Sequence, residues 1–163
     1  MLAAAAGLPC SRVGDVDPAR NARDAEVIVV ARAVEYLSEP RTASGDGPPR
    51  RGSIAFDVVK SLKGRSVPTR LVLPGTLTDS DDYNPEPLPY QIVRPEGRRG
   101  WCFAETYRRA ALFLLLLKSA EGEYTVEWDP LAPNNEQLHG LDDPWIERGA
   151  GAVEGAEEEV ISR

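Results

Sequence analysis

The chain has 163 residues, 42% of them hydrophobic, with 26 acidic against 19 basic side chains and a net charge of −7. Length and composition fit one domain with a single core and exclude a disordered chain. The acidic balance argues against a general binder of nucleic-acid backbones. The longest apolar run, Ala110–Leu117, stops at Lys118, far short of the ~20 residues of a membrane-spanning helix.

In chain order, Met1–Gly7 reads as the tail of a secretory signal, with small residues near a cleavage point. Asp17-Pro18 is an N-cap followed by proline at the first helical position, which predicts a short helix to Asp24. Ala25–Leu37 is rich in strand formers, continuously apolar at first and alternating later, with a bulge or bend expected near Ala31-Arg32. Residues 38–50 are rich in Ser, Glu, Pro, Gly and Arg and read as a hairpin loop or a disordered tip. Gly52–Leu62 is a second strand with Ile54, Phe56 and Val58 on one face, ended by a Lys63-Gly64 turn. Thr69–Leu73 is a third, stopped by Pro74-Gly75.

A polar excursion over residues 76–100 follows, holding Asp79-Ser80-Asp81-Asp82 and the cluster Arg94, Arg98 and Arg99. Loops of this length are functional or mobile, so residues 78–98 are expected to be removable without unfolding the domain. Trp101-Cys102-Phe103 anchors the chain again. Ala111–Lys118 predicts a fully buried strand, Glu121-Gly122 a turn, and Glu123–Trp128 a strand with Tyr124, Val126 and Trp128 on its buried face. Residues 129–136 read as an extended loop. Asp142-Asp143-Pro144 opens a second helix, on which Trp145 docks the terminal segment, and residues 147–163 form an acidic tail.

Five strands with a long excursion between the third and fourth predict a mostly β domain, a five-stranded Greek-key barrel with short flanking helices. Several features also fall in a recognisable order. They are Cys10, the strand Asp24–Val34, Ile54-x-Phe56-x-Val58-x-x-Ser61-Leu62-Lys63-Gly64, Cys102, Tyr107 with Leu112–Leu115, and Pro130–Glu136 with Asp143-Pro144-Trp145. Over residues 10–146 this order resembles the bacterial, uncharacterised secreted members of the netrin-like, tissue-inhibitor-of-metalloproteinases superfamily. The resemblance implies an OB-fold barrel and a disulfide tying the N-terminal segment to the later half. Cys10 and Cys102 are the two cysteines available; they pair in an exported protein and stay reduced in a cytosolic one. Such a bridge would close a loop of ~90 residues and contribute about 2–4 kcal/mol.

The family's animal inhibitors chelate a target zinc through an N-terminal Cys-x-Cys. Here Cys10-Ser11-Arg12 departs from that pattern and follows proline, so zinc-chelating inhibition is an alternative and a structural staple the main reading. Gly7-Leu8-Pro9 also departs from a lipid-attachment motif. His139 is the only histidine, and no nucleophile elbow or four-ligand zinc set accompanies it, so no catalytic residue, metal site or cofactor is expected. Asp79–Asn84 lacks the glycine and distal glutamate of a calcium loop and reads as a solvated acidic loop. Arg94, Arg98, Arg99 and Trp101 are the candidate contacts for a partner; OB-fold binding of single-stranded nucleic acid is a further alternative that the acidity disfavours. The expectation is a non-catalytic, secreted or periplasmic module for an unknown protein partner, with its contact surface on residues 76–100 and 38–50.

Overall fold

A computed structural model describes residues 16–41, 51–99 and 102–149. Helix α1, Pro18–Asp24, starts where the sequence predicts. The Asp17 carboxylate accepts from the Ala19 and Arg20 amides, and proline occupies the first turn. The strands are β1 Val27–Ser38, β2 Gly52–Lys63, β3 Arg70–Thr78, β4 Thr106–Arg108, β5 Leu112–Ala120, β6 Glu123–Val126 and β7 Asn135–Leu138. A 3-10 turn spans Pro95–Arg98, and residues 144–149 form a second helix, α2.

The strands make one mostly antiparallel sheet in the order β4-β3-β2-β1-β5-β6, with β7 also on β5. Strand β5 pairs with β1 along one edge. Its other edge serves two strands in tandem, β7 over Leu112–Leu115 and β6 over Leu117–Ala120. Strand β4 joins β3 in parallel. The register of β1 on β2 shifts four times, once between Val30 and Ala31, close to the predicted bend. Such bulges raise local twist and curl a sheet. The curl brings β6 against β3 without a shared ladder, leaving a nearly closed barrel.

Two apolar layers explain the sequence pattern. Val27, Val29, Ala31, Phe113, Leu115 and Leu117 point into the barrel with Phe56 and Tyr107. Ile28, Val30, Leu112, Leu114 and Leu116 point outward, beneath Ala22 of α1, Tyr90 of the excursion, and Trp145 and Ile146 of α2. Both faces are covered, so β5 and the first half of β1 read as unbroken apolar runs. From Arg32 onward the outer face meets water and alternation appears. Phe56, Tyr107 and Phe113 meet edge to face, with ring centroids 5.0 to 6.4 Å apart.

Seven strands replace the expected five. Strand β4 spans only three residues. Strand β7 was expected as loop because Asn135-Glu136-Gln137 is polar, yet all its residues are buried. Trp128 is also corrected: β6 ends at Val126, and Trp128 lies 37% exposed, edge-on to Phe103. No helix among the described residues is long and apolar enough to cross a membrane.

Candidate functional site

The excursion between β3 and β4 is bound to the barrel by polar side chains of β7. Gln137 Oε1 accepts the Asp82 amide at 2.8 Å, and its Nε2 donates to Asp81. Glu136 Oε1 accepts the Arg94 amide at 3.0 Å, and its Oε2 accepts Asn84 Nδ2 at 2.9 Å. Asn135 Nδ2 donates to the Ala104 carbonyl and to the Tyr107 hydroxyl, the latter at 3.0 Å. Each bond satisfies a polar group that burial would otherwise penalise.

Arg94 is the centre of this network and is fully buried. Its Nη1 donates to Asp82 Oδ2 at 2.8 Å and its Nε to the Asn135 carbonyl at 3.0 Å. The guanidinium carbon lies 5.3 Å from the Tyr107 ring centre and 5.4 Å from that of Phe113. Among the described residues Nη2 finds no hydrogen-bond partner, and the two ring faces supply electrostatic compensation. Asp82 additionally accepts the Glu96 amide. Asn84 Oδ1 accepts from the Glu86 amide and Arg98 Nη2, and its Nδ2 also donates to the Ile92 carbonyl, which fixes the orientation of the amide.

Burial raises Glu136 to about 7, against the pull of Arg94, the Asn84 bond and the Arg94 amide, while Asp82 adds to the rise. Burial likewise raises the Tyr107 phenol, with Arg94 opposing.

Outside the network, the Tyr83 ring stacks on His139 at 4.1 Å between centroids. His139 Nδ1 lies 3.2 Å from Asp143 Oδ2. Asp143, buried, caps α2 by accepting the Trp145 amide, and its other oxygen accepts the His139 amide. A separate cleft of about 680 Å³ opens between α1, residues 88–91 and α2, with Leu114, Leu116 and Trp145 in its wall.

The expected arginine patch divides. Arg94 faces the interior and cannot meet a partner. Arg98 is one-quarter exposed and holds Glu86 and Asn84, and Arg99 alone of the three is exposed. Trp101 and Cys10 lie outside the described residues, as do residues 1–9, 42–50 of the predicted hairpin loop, and 150–163 of the tail. Cys102 is partly buried at φ 64°, its carbonyl accepts the Leu131 amide, and no cysteine among the described residues is free. Of the acidic run, Asp79, Ser80 and Asp81 are exposed, as expected of a solvated loop, although Asp81 also pairs with Arg108 and Gln137; Asp82 is half-buried and serves Arg94.

Sequence reasoning missed Asn84, Tyr107, Asn135, Glu136 and Gln137 as a connected set. Hydropathy carries no signal for them, because polar residues read as exposed until their partners are known. Among the described residues no group of three or more histidine, cysteine or carboxylate side chains is arranged to hold a metal ion. The chain matches no protein-family model, and comparison with curated proteins finds no match.

Proposed function

We propose that this chain is a non-catalytic protein-binding module, exported to a secreted or periplasmic location, that presents the outer face of the excursion to a protein partner. One observation carries the reading: a long irregular segment is held in a single shape by Asn135, Glu136, Gln137 and Arg94, all buried. Such a segment binds without the ordering cost of a mobile loop. Its outward groups are Tyr83 on His139, Glu86 paired with Arg98, and Arg99. The titratable side chains beneath that face are engaged with one another, which favours recognition over catalysis.

The strand circuit supports the netrin-like, OB-type resemblance. Strands β1, β2 and β3 form a meander, β1 also takes β5, and β6 returns to β3. A Cys10–Cys102 bridge belongs to the same reading, and its test is a thiol count by mass spectrometry with and without reductant. Two free thiols in protein taken from its own compartment reject both bridge and export.

The binding surface is tested with paired baits, the wild type and an Arg99→Glu/His139→Ala variant of unchanged melting temperature. A partner retained by the first and lost by the second is the expected result. Equal retention, or no partner for the wild type, rejects the surface.

A further inference from the structure

The cleft of about 680 Å³ between α1, residues 88–91 and α2 is of a size that suits a small molecule. Ala22, Leu88, Leu114 and Leu116 give it an apolar lining. Trp145 stands in the wall and is only 5% exposed. Its ring packs on Tyr90 with centroids 4.8 Å apart, and its backbone amide donates to Asp143 Oδ1 at 2.9 Å, so the indole is held in place. The indole Nε1 is buried and finds no acceptor among the described residues. A buried indole N–H ordinarily has a partner, and leaving it without one is costly.

The remaining polar groups of the wall narrow the chemistry. Four prolines line it, at positions 18, 89, 133 and 144, and offer no N–H. Asn134 Nδ2 already donates to the Glu127 carbonyl, and Gln91 Nε2 to that of Pro89. Asp17 Oδ1 accepts the Ala19 and Arg20 amides, and its Oδ2 lies 3.7 Å from Arg23 Nη2. Among the described side chains of the wall, Trp145 Nε1 and the exposed Arg148 guanidinium are the donors left over, and neither group can accept. Trp145 and Arg148 are three residues apart on α2 and so share a face, whereas Glu147 is offset around the helix.

We propose that the cleft binds an aliphatic carboxylate, its hydrocarbon chain against Ala22, Leu88, Leu114 and Leu116 and its oxygens accepting from Trp145 Nε1 and Arg148. Burial of the chain supplies affinity. The carboxylate supplies the acceptor that a pair of donor-only groups selects, with a charge-assisted bond to the guanidinium. An ammonium head would bring no acceptor to Nε1 and would face the charge of Arg148. None of Tyr83, Glu86, Arg98, Arg99 and His139 lines the cleft, so the site stands whether or not the excursion's outer face binds a partner.

Titration of the nitrogen-15-labelled full chain with sodium decanoate, at neutral pH and below the micellar range, tests this by NMR. A saturable shift is expected for the Trp145 indole N–H and for the Leu114 and Leu116 amides, while the Trp128 indole stays constant. Trp145→Phe identifies the indole signal by its loss. Read from the leucine amides, Trp145→Phe and Arg148→Glu are each expected to weaken decanoate binding roughly tenfold. Decylammonium is expected to bind more weakly than decanoate by a similar factor. No saturable shift, equal or tighter binding of decylammonium, or unchanged affinity in either folded variant overturns the proposal. Should Trp145→Phe fail to fold, Arg148→Glu, at an exposed position, decides with the decylammonium comparison.

Discussion

Arg94 shows how a charged side chain becomes a core residue. Its guanidinium is fully buried against Tyr107 and Phe113, with Asp82 at its end and the Asn135 carbonyl at its side. Removing one member of such a buried set costs more than the set contributes, because the remaining charges lose compensation. Arg94→Met keeps the apolar stem and strands Asp82 and Glu136. A loss of about 3–5 kcal/mol is expected in urea denaturation, and a loss under about 1 kcal/mol would show that the carboxylates need no cation. Tyr107→Phe is a milder change at the same place. It removes the hydroxyl that accepts Asn135 Nδ2, while that amide keeps the Ala104 carbonyl. The expected cost is about 1 kcal/mol in the same measurement.

At the scale of elements, the excursion and β7 form a unit although nearly fifty residues of chain separate their centres. Tyr90 belongs to the outer apolar layer, Val93 packs with Ala104 and Leu131, and Arg94 fills the barrel beneath Phe113. The expectation that the excursion could be removed rested on its polar composition and does not suit these positions. Deleting residues 79–98 behind a short linker is expected to abolish the cooperative thermal transition. A sharp transition retained near the wild-type temperature would make the segment an accessory. Gly75 shows how closely this unit packs: a Cβ there would lie 2.6 Å from the Glu105 carbonyl oxygen and 2.8 Å from the Tyr107 ring. Strand β3 therefore approaches β4 only through a residue without a side chain.

At the scale of the whole molecule, buried charge gives stability a pH dependence of definite sign. Glu136 is raised from 4.5 to about 7 on folding. Its contribution is therefore fully present below the unfolded value and is lost as pH rises through about 7. By linkage the change is at most about 3 kcal/mol. Glu105 is shifted in the same direction by burial, with Arg51 opposing. Denaturation midpoints are expected to rise from pH 8 to pH 5, more steeply in the wild type than in Glu136→Gln. A midpoint that falls over that interval contradicts the sign.

What the sequence determined by itself is the part of the structure governed by local chemistry. The barrel strands β1, β2, β3 and β5 were legible because alternation and apolar runs mirror burial on one face or two. The starts of α1 and α2 were legible because Asp-Pro caps a helix from adjacent residues. Tertiary structure decided everything polar in the interior. Asn84 and Glu136 are 52 residues apart, and Arg94 and Glu136 are 42. At that separation no local pattern reveals that Asn135, Glu136 and Gln137 form a buried strand, or that Arg94 faces inward while Arg99 faces water. A polar side chain enters a core only when its partners are already there, and those partners are set by the fold.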